Sequence, residues 1–253
     1  MASGAPVQLE RVTMAFGDRP VFDDLSCTFP AGRFSVVLGG SGSGKSTVLR
    51  LVGGLIQPIT GRILVDGEDI TRLPERELFR VRRKLGMLFQ GGALLDSMTV
   101  FDNLALPLRE HERLDEPAIA TAVHERLDAV GLRDVDGLLP SQLSGGMAKR
   151  VGLARAIIRS PAVLLCDEPF SGLDPLSSKR IEALLVRINA TRGITTVVVS
   201  HDIASTMRMA EHVLLLLPGG SVQGAPPSLL ASPDPRVRAF LRPDDVALEL
   251  EAS

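Results

Sequence analysis

The sequence predicts an α/β protein with an inserted block of helices. Three observations carry this. Buried-strand runs of five to seven mostly apolar residues recur at 34–38, 85–89, 162–166, 194–200 and 212–217 and alternate with helical patterns. The stretch Gly39-Gly40-Ser41-Gly42-Ser43-Gly44-Lys45-Ser46-Thr47 stands between the first of these runs and the apolar-periodic 48–52. From 91 to about 140, strand-like runs disappear and helical spacing appears at 99–108 and 115–130.

Taken in order, 7–16 and 21–29 read as two strands joined by the turn Gly17-Asp18-Arg19-Pro20. The glycine-rich stretch follows. Its Gly-x4-Gly-Lys-Ser pattern, placed between strand and helix, is that of a phosphate-binding loop. Glycines let backbone N–H groups turn toward phosphate oxygens, and the helix N-terminus adds partial positive charge. Lys45 can reach the β- and γ-phosphates and the Ser46 hydroxyl can ligate Mg2+. A flexible Gly/Ser linker would have no reason to place Lys-Ser-Thr at a helix start behind a buried strand. The chain is expected to bind a nucleoside triphosphate.

A short strand at 62–65, the turn Asp66-Gly67 and a charged helix at 73–84 come next. The alternation resumes after Ser144 with helices at 175–191 and 203–211. From Ala225 the prolines 226, 227, 233, 235 and 243 permit only short helices. The expected organisation is one domain, 1–253: core 1–90 and 150–224, helical part 91–149, tail 225–253.

At 253 residues with net charge −2, the chain can bury a large core and is not a general nucleic-acid coat. Nine Phe with no Tyr or Trp leave no base-stacking surface. Arg76, Arg80, Arg82, Arg83 and Lys84 read as a solvated helix face. Cys27 and Cys166 fit neither a disulfide framework nor a zinc spacing. No signal peptide and no apolar run long enough to span a bilayer is visible, so a soluble intracellular chain is expected, with any membrane role reached through a partner. Gly42-Ser43-Gly44 lacks the third glycine of a dinucleotide fingerprint, and His111-Glu112 has no second His at 115.

A phosphate loop needs a metal carboxylate and a group that handles water. Asp167 and Glu168, at the end of an apolar strand, meet both needs: Asp167 for Mg2+, Glu168 as general base. Ser144 reads as a helix N-cap in Leu143-Ser144-Gly145-Gly146-Met147. His201 follows the strand ending at Ser200, on the sheet edge shared with Lys45 and Asp167, within reach of the γ-phosphate.

Together these residues resemble the nucleotide-binding subunit of ATP-binding cassette (ABC) transporters across nearly the whole chain. Gly39–Thr47 is similar to the Walker A loop, Cys166-Asp167-Glu168 to the end of Walker B, and Leu143-Ser144-Gly145-Gly146 to the signature. Ser171-Gly172-Leu173-Asp174 is similar to the D-loop, Gln90 to the Q-loop and His201 to the switch histidine. The resemblance implies a P-loop NTPase (RecA-like) core with an N-terminal antiparallel β subdomain and an inserted α-helical subdomain. It implies ATP and Mg2+, with Gln90 sensing the metal and the transport partner, and Phe16 stacking on adenine. It further implies a homodimer in which Ser144 and Gly146 contact the γ-phosphate bound by the other copy, with Gly145 and Asp174 as further nucleotide-binding residues. Met147 stands where many members have Gln, and Gly40 where many have Pro or a larger residue; neither change removes a phosphate ligand.

Phe89-Gln90-Gly91-Gly92-Ala93-Leu94-Leu95, Val100-Phe101-Asp102-Asn103, Pro107-Leu108-Arg109-Glu110-His111 and the tail from Ser232 to Leu241 resemble Mla/Mce-type lipid-transport ATPases, as does Met147. That resemblance implies ATP-driven phospholipid transport at the cytoplasmic face of a bacterial inner membrane. The implied partners are an integral membrane permease, an Mce lipid-binding subunit and a small STAS-domain protein. Tails in that family can wrap the neighbouring ATPase, and with Ser253 as the last residue here a reduced embrace is expected. The alternatives are an importer of amino acids or another small solute, and a soluble ABC ATPase of ribosome or DNA. The single cassette without a charged linker, and the absence of sustained heptads in 91–140, disfavour the last.

Overall fold

A computed structural model describes residues 4–242. Strands β1 (Val7–Phe16), β2 (Arg19–Phe29) and β3 (Phe34–Gly39) lead into helix α1 (Lys45–Val52). Strands β4 (Thr60–Val65) and β5 (Glu68–Asp69), helix α2 (Glu75–Arg82) and strand β6 (Leu85–Leu88) follow. The helical stretch holds α3 (Val100–His111), α4 (Glu116–Ala129), a 3-10 turn at Pro140–Gln142 and α5 (Gly145–Ala156). Next come β7 (Val163–Asp167), α6 (Pro175–Arg192), β8 (Thr195–Val199) and α7 (Ile203–Met209). The hairpin β9 (His212–Leu217) and β10 (Gly220–Gly224) precedes the short helices α8 (Pro226–Leu230) and α9 (Pro235–Leu241).

Two sheets result. One is antiparallel, in the order β2-β1-β4-β5; the other runs β10-β9-β3-β8-β7-β6. In the second, β9, β3, β8, β7 and β6 are mutually parallel and β10 is an antiparallel edge. Every residue of β3 and β8 is buried, as central strands covered on both faces require. Alternate residues face opposite layers. Val36 and Leu38 share one layer of core with Leu104 and Leu153 of the helical stretch and Leu185 of α6. Val37 belongs to the other layer, with Val48 and Leu51 of α1 and the inner face of the antiparallel sheet.

The turn expected over 17–20 is shorter: only Gly17 and Asp18 form it, and Arg19 and Pro20 belong to β2. Proline is tolerated there because β2 is an edge strand. β5 and β10 were not expected; Gly219, at φ 77, supplies the turn that folds β10 back on β9. Thr99 and Asp115 cap α3 and α4 by accepting from the Asp102 and Ala118 N–H groups. α5 runs unbroken across positions 149 and 150, the expected junction of helical part and core. Short helices occupy the tail as far as Leu241; the expectations for Pro243 and the segment beyond it lie outside the described residues.

Cys27 and Cys166 are buried and unpaired, and burial pushes the Cys27 thiol up to about 12. The basic run is matched by acids: Arg80 with Glu68, Arg82 with Glu75, Lys84 with Asp66, Arg83 with Glu112 and Arg76 with Glu77. No helix among the described residues is long and apolar enough to cross a membrane.

Candidate functional site

The loop between β3 and α1 sits at the C-terminal edge of the parallel sheet, where open α/β folds hold ligands. Gly44 caps α1 at φ 95, and a Cβ there would lie 2.6 Å from the Phe22 ring, so both backbone and space demand glycine. No side chain caps α1, which leaves its first N–H groups directed at the loop's concave side. Lys45 Nζ donates to the Gly39 and Gly40 carbonyls, 2.9 Å each, which holds the ammonium over the loop.

β7 delivers the carboxylates. Ser46 Oγ donates to Asp167 Oδ1 at 2.8 Å, joining α1 to β7. Glu168 follows in a left-handed conformation, φ 47, pinned by its N–H on the Val199 carbonyl and by Ser171, whose N–H and Oγ both donate to the Glu168 carbonyl. That twist turns the Glu168 side chain toward His201, whose Nδ1 lies 2.8 Å from Glu168 Oε2.

These groups line one cleft of about 490 Å3: Phe16, Lys45, Ser46, Gln90, Glu168 and His201 share it with Ser41, Gly42, Gly44 and Thr47. Phe16 stands on the rim, 48% exposed. Asp167 reaches the cleft through Ser46, and Gly39 and Gly40 through the Lys45 ammonium. Ser43 Oγ is buried under the loop without a partner.

Ser144, Gly145, Gly146 and Asp174 do not line that cleft. Ser144 caps α5 by accepting from the Met147 N–H, and Asp174 caps α6 by accepting from Leu176 and Ser177. Hydrogen bonds from Ser177 hold the Asp174 carboxyl below its ordinary range. The two caps adjoin: a Cβ on Gly145 would lie 3.6 Å from Leu173, and one on Gly146 3.4 Å from Ser177 Oγ.

Sequence reasoning did not select Arg19, Val21 or Ser171 as cleft residues. Arg19 was hidden in the expected turn; its guanidinium stands 3.2 Å from where a Gly42 Cβ would lie. Lys149 was also missed, and only its place one helical turn beyond the Ser-Gly-Gly turn could have drawn notice. Among the described residues no group of three or more His, Cys, Asp or Glu is placed to hold a metal ion.

A model of the ABC transporter family matches residues 22–171. The chain belongs to the ABC transporter family. This ABC chain is 46% identical over 236 residues to the intermembrane phospholipid transport system ATP-binding protein MlaF of Escherichia coli K12, covering 93% of this chain and 88% of that one. It is 43% identical to the Haemophilus influenzae MlaF over 237 residues, 93% of this chain and 90% of that one. It is 41% identical over 239 residues to the probable ribonucleotide transport ATP-binding protein mkl of Mycobacterium tuberculosis H37Rv, 94% of this chain and 67% of that one. Among solved structures, the dimeric bacterial ABC transporter cassette MJ0796 matches with TM-score 0.79 and 32% identity, over 87% of this chain and 98% of that one. The same cassette bound to ADP and Pi, in a post-hydrolysis state, matches equally.

Proposed function

We propose that this ABC chain is the ATP-hydrolysing subunit of a transporter that moves phospholipid between bacterial membranes through a separate permease. The observation that carries the cargo is the 43–46% identity to MlaF proteins across nearly the whole chain. The cleft supports the chemistry. Lys45 and the N–H groups of α1 hold the β- and γ-phosphates, and Phe16 stacks on the adenine rim. Glu168 takes a proton from the attacking water as the bond from the γ-phosphorus to the ADP oxygen breaks, releasing ADP and phosphate. His201 orients Glu168 and contacts the γ-phosphate. Gln90, which lines the cleft, senses the nucleotide and the permease.

Ser46 and Asp167, oxygen donors already joined at 2.8 Å, fit Mg2+, with Gln90 as a further oxygen ligand. When bound, Mg2+ neutralises phosphate charge.

Two copies close face to face on two ATP molecules. The Ser144-Gly145-Gly146 turn and Asp174 adjoin each other outside their own cleft, which suits them to a second copy's nucleotide; the structural relative is itself dimeric. The complex sits at the cytoplasmic face of the inner membrane, with an Mce lipid-binding subunit and a small STAS-domain protein as further partners.

The test is reconstitution with the permease in proteoliposomes. ATP-dependent transfer of a fluorescent phospholipid, lost in Lys45→Ala, supports the reading. ATP turnover that moves a ribonucleotide or small solute and no phospholipid overturns the cargo.

A further inference from the structure

Lys149 is a charged side chain buried to 7% exposure, and neither the phosphate contacts nor the caps use it. It lies on α5, five residues after Ser144, about 7.5 Å along the helix axis. Its Nζ donates to the backbone carbonyl of Gln90. Burial pushes the ammonium below its ordinary range, against the pull of the Asp167 and Glu168 carboxylates. Burying an ammonium is costly unless a defined partner offsets it, and here the partner is the Gln90 loop.

Two further contacts join the same helix to the same loop. Gly152, one turn on, approaches so closely that a Cβ would lie 3.2 Å from the Gly92 carbonyl and 3.0 Å from Leu88. Arg155 donates to the Gly92 carbonyl at 3.3 Å and to Asn103 Oδ1 at 3.3 Å. Residues 149, 152 and 155 follow helical spacing, so one face of α5 grips the loop that carries Gln90.

We propose that Lys149 is a positioning residue for hydrolysis: it ties Gln90 in its own cleft to the helix whose first turn closes on the second copy's nucleotide. The inference rests on the dimeric reading above. Engagement of Ser144 across the interface shifts α5 as a rigid rod, and the tether passes that shift to Gln90. Each site is then set for hydrolysis by occupancy of the other.

The test uses the full chain co-purified with its permease, comparing wild type, Lys149→Met, Lys149→Arg and Lys45→Ala for binding of a fluorescent ATP analogue and for steady-state hydrolysis. Lys149→Met is expected to bind nucleotide within about threefold of wild type while kcat falls roughly 10- to 100-fold, the loss of one charge-assisted hydrogen bond. Lys149→Arg, which keeps charge and donor, restores kcat to within about fivefold. Wild-type kcat in Lys149→Met, or equal impairment in Lys149→Arg, overturns the proposal. Should Lys149→Met fail to fold, Gly152→Ala pushes on the same loop from the neighbouring turn: lowered kcat with retained binding supports the tether, and unchanged kcat overturns it. Hydrolysis surviving in Lys45→Ala would instead remove the phosphate-site reading on which all else stands.

Discussion

His201 Nδ1 lies 2.8 Å from Glu168 Oε2, and the pair joins an exposed ring, 70% accessible, to a carboxylate only 16% accessible. An ionised carboxylate only accepts, so Nδ1 carries the hydrogen of this bond. The left-handed backbone at Glu168 is what aims this carboxylate at the cleft rather than along the sheet.

Glu168→Gln removes the proton acceptor and keeps the shape. ATP binding stays intact while turnover falls by roughly 10²–10⁴-fold, the range for a lost general base. Steady-state phosphate release checks this, and near-normal turnover moves the base elsewhere.

Lys45→Ala removes the ammonium held over the loop by the Gly39 and Gly40 carbonyls. ATP affinity is expected to fall by roughly tenfold or more, because charge-assisted contacts to phosphate are lost. Titration calorimetry measures it; unchanged affinity contradicts the phosphate assignment.

Ser144→Arg places a bulky cation on the turn that stands outside its own cleft. The ATP-dependent dimer should not form, and light scattering in the Glu168→Gln background reads this directly. A stable ATP dimer removes the role of the turn across the interface.

Asn103→Ala tests the frame behind Gln90. Asn103 is fully buried; its Nδ2 donates to the Leu95, Met98 and Thr99 carbonyls and its Oδ1 accepts from the Leu95 N–H. Truncation strands these groups and is expected to cost about 3 kcal/mol in urea unfolding. A loss below about 1 kcal/mol would mean water replaces the amide.

The strands of the parallel sheet were legible because burial on both faces leaves continuous apolar runs, as in β3 and β8. Ser144 was legible as a helix start because a capping side chain has a fixed position, whereas the starts of α3 and α4 were reached through helical spacing alone. β5 and β10 were not, since two-residue and glycine-bounded edge strands carry no periodicity. The cleft was read from motif spacing, but Arg19 and Lys149 meet residues distant in sequence, near Gly42 and on Gln90, which no local pattern records.

The measurement that bears most directly on the central claim is a crystal structure of Glu168→Gln grown with ATP and Mg2+. It should show two chains enclosing two nucleotides, with Ser144 Oγ of each copy within about 3.2 Å of a phosphate oxygen held by the other copy's Lys45. A structure in which that serine lies far from every triphosphate in every assembly would contradict the account.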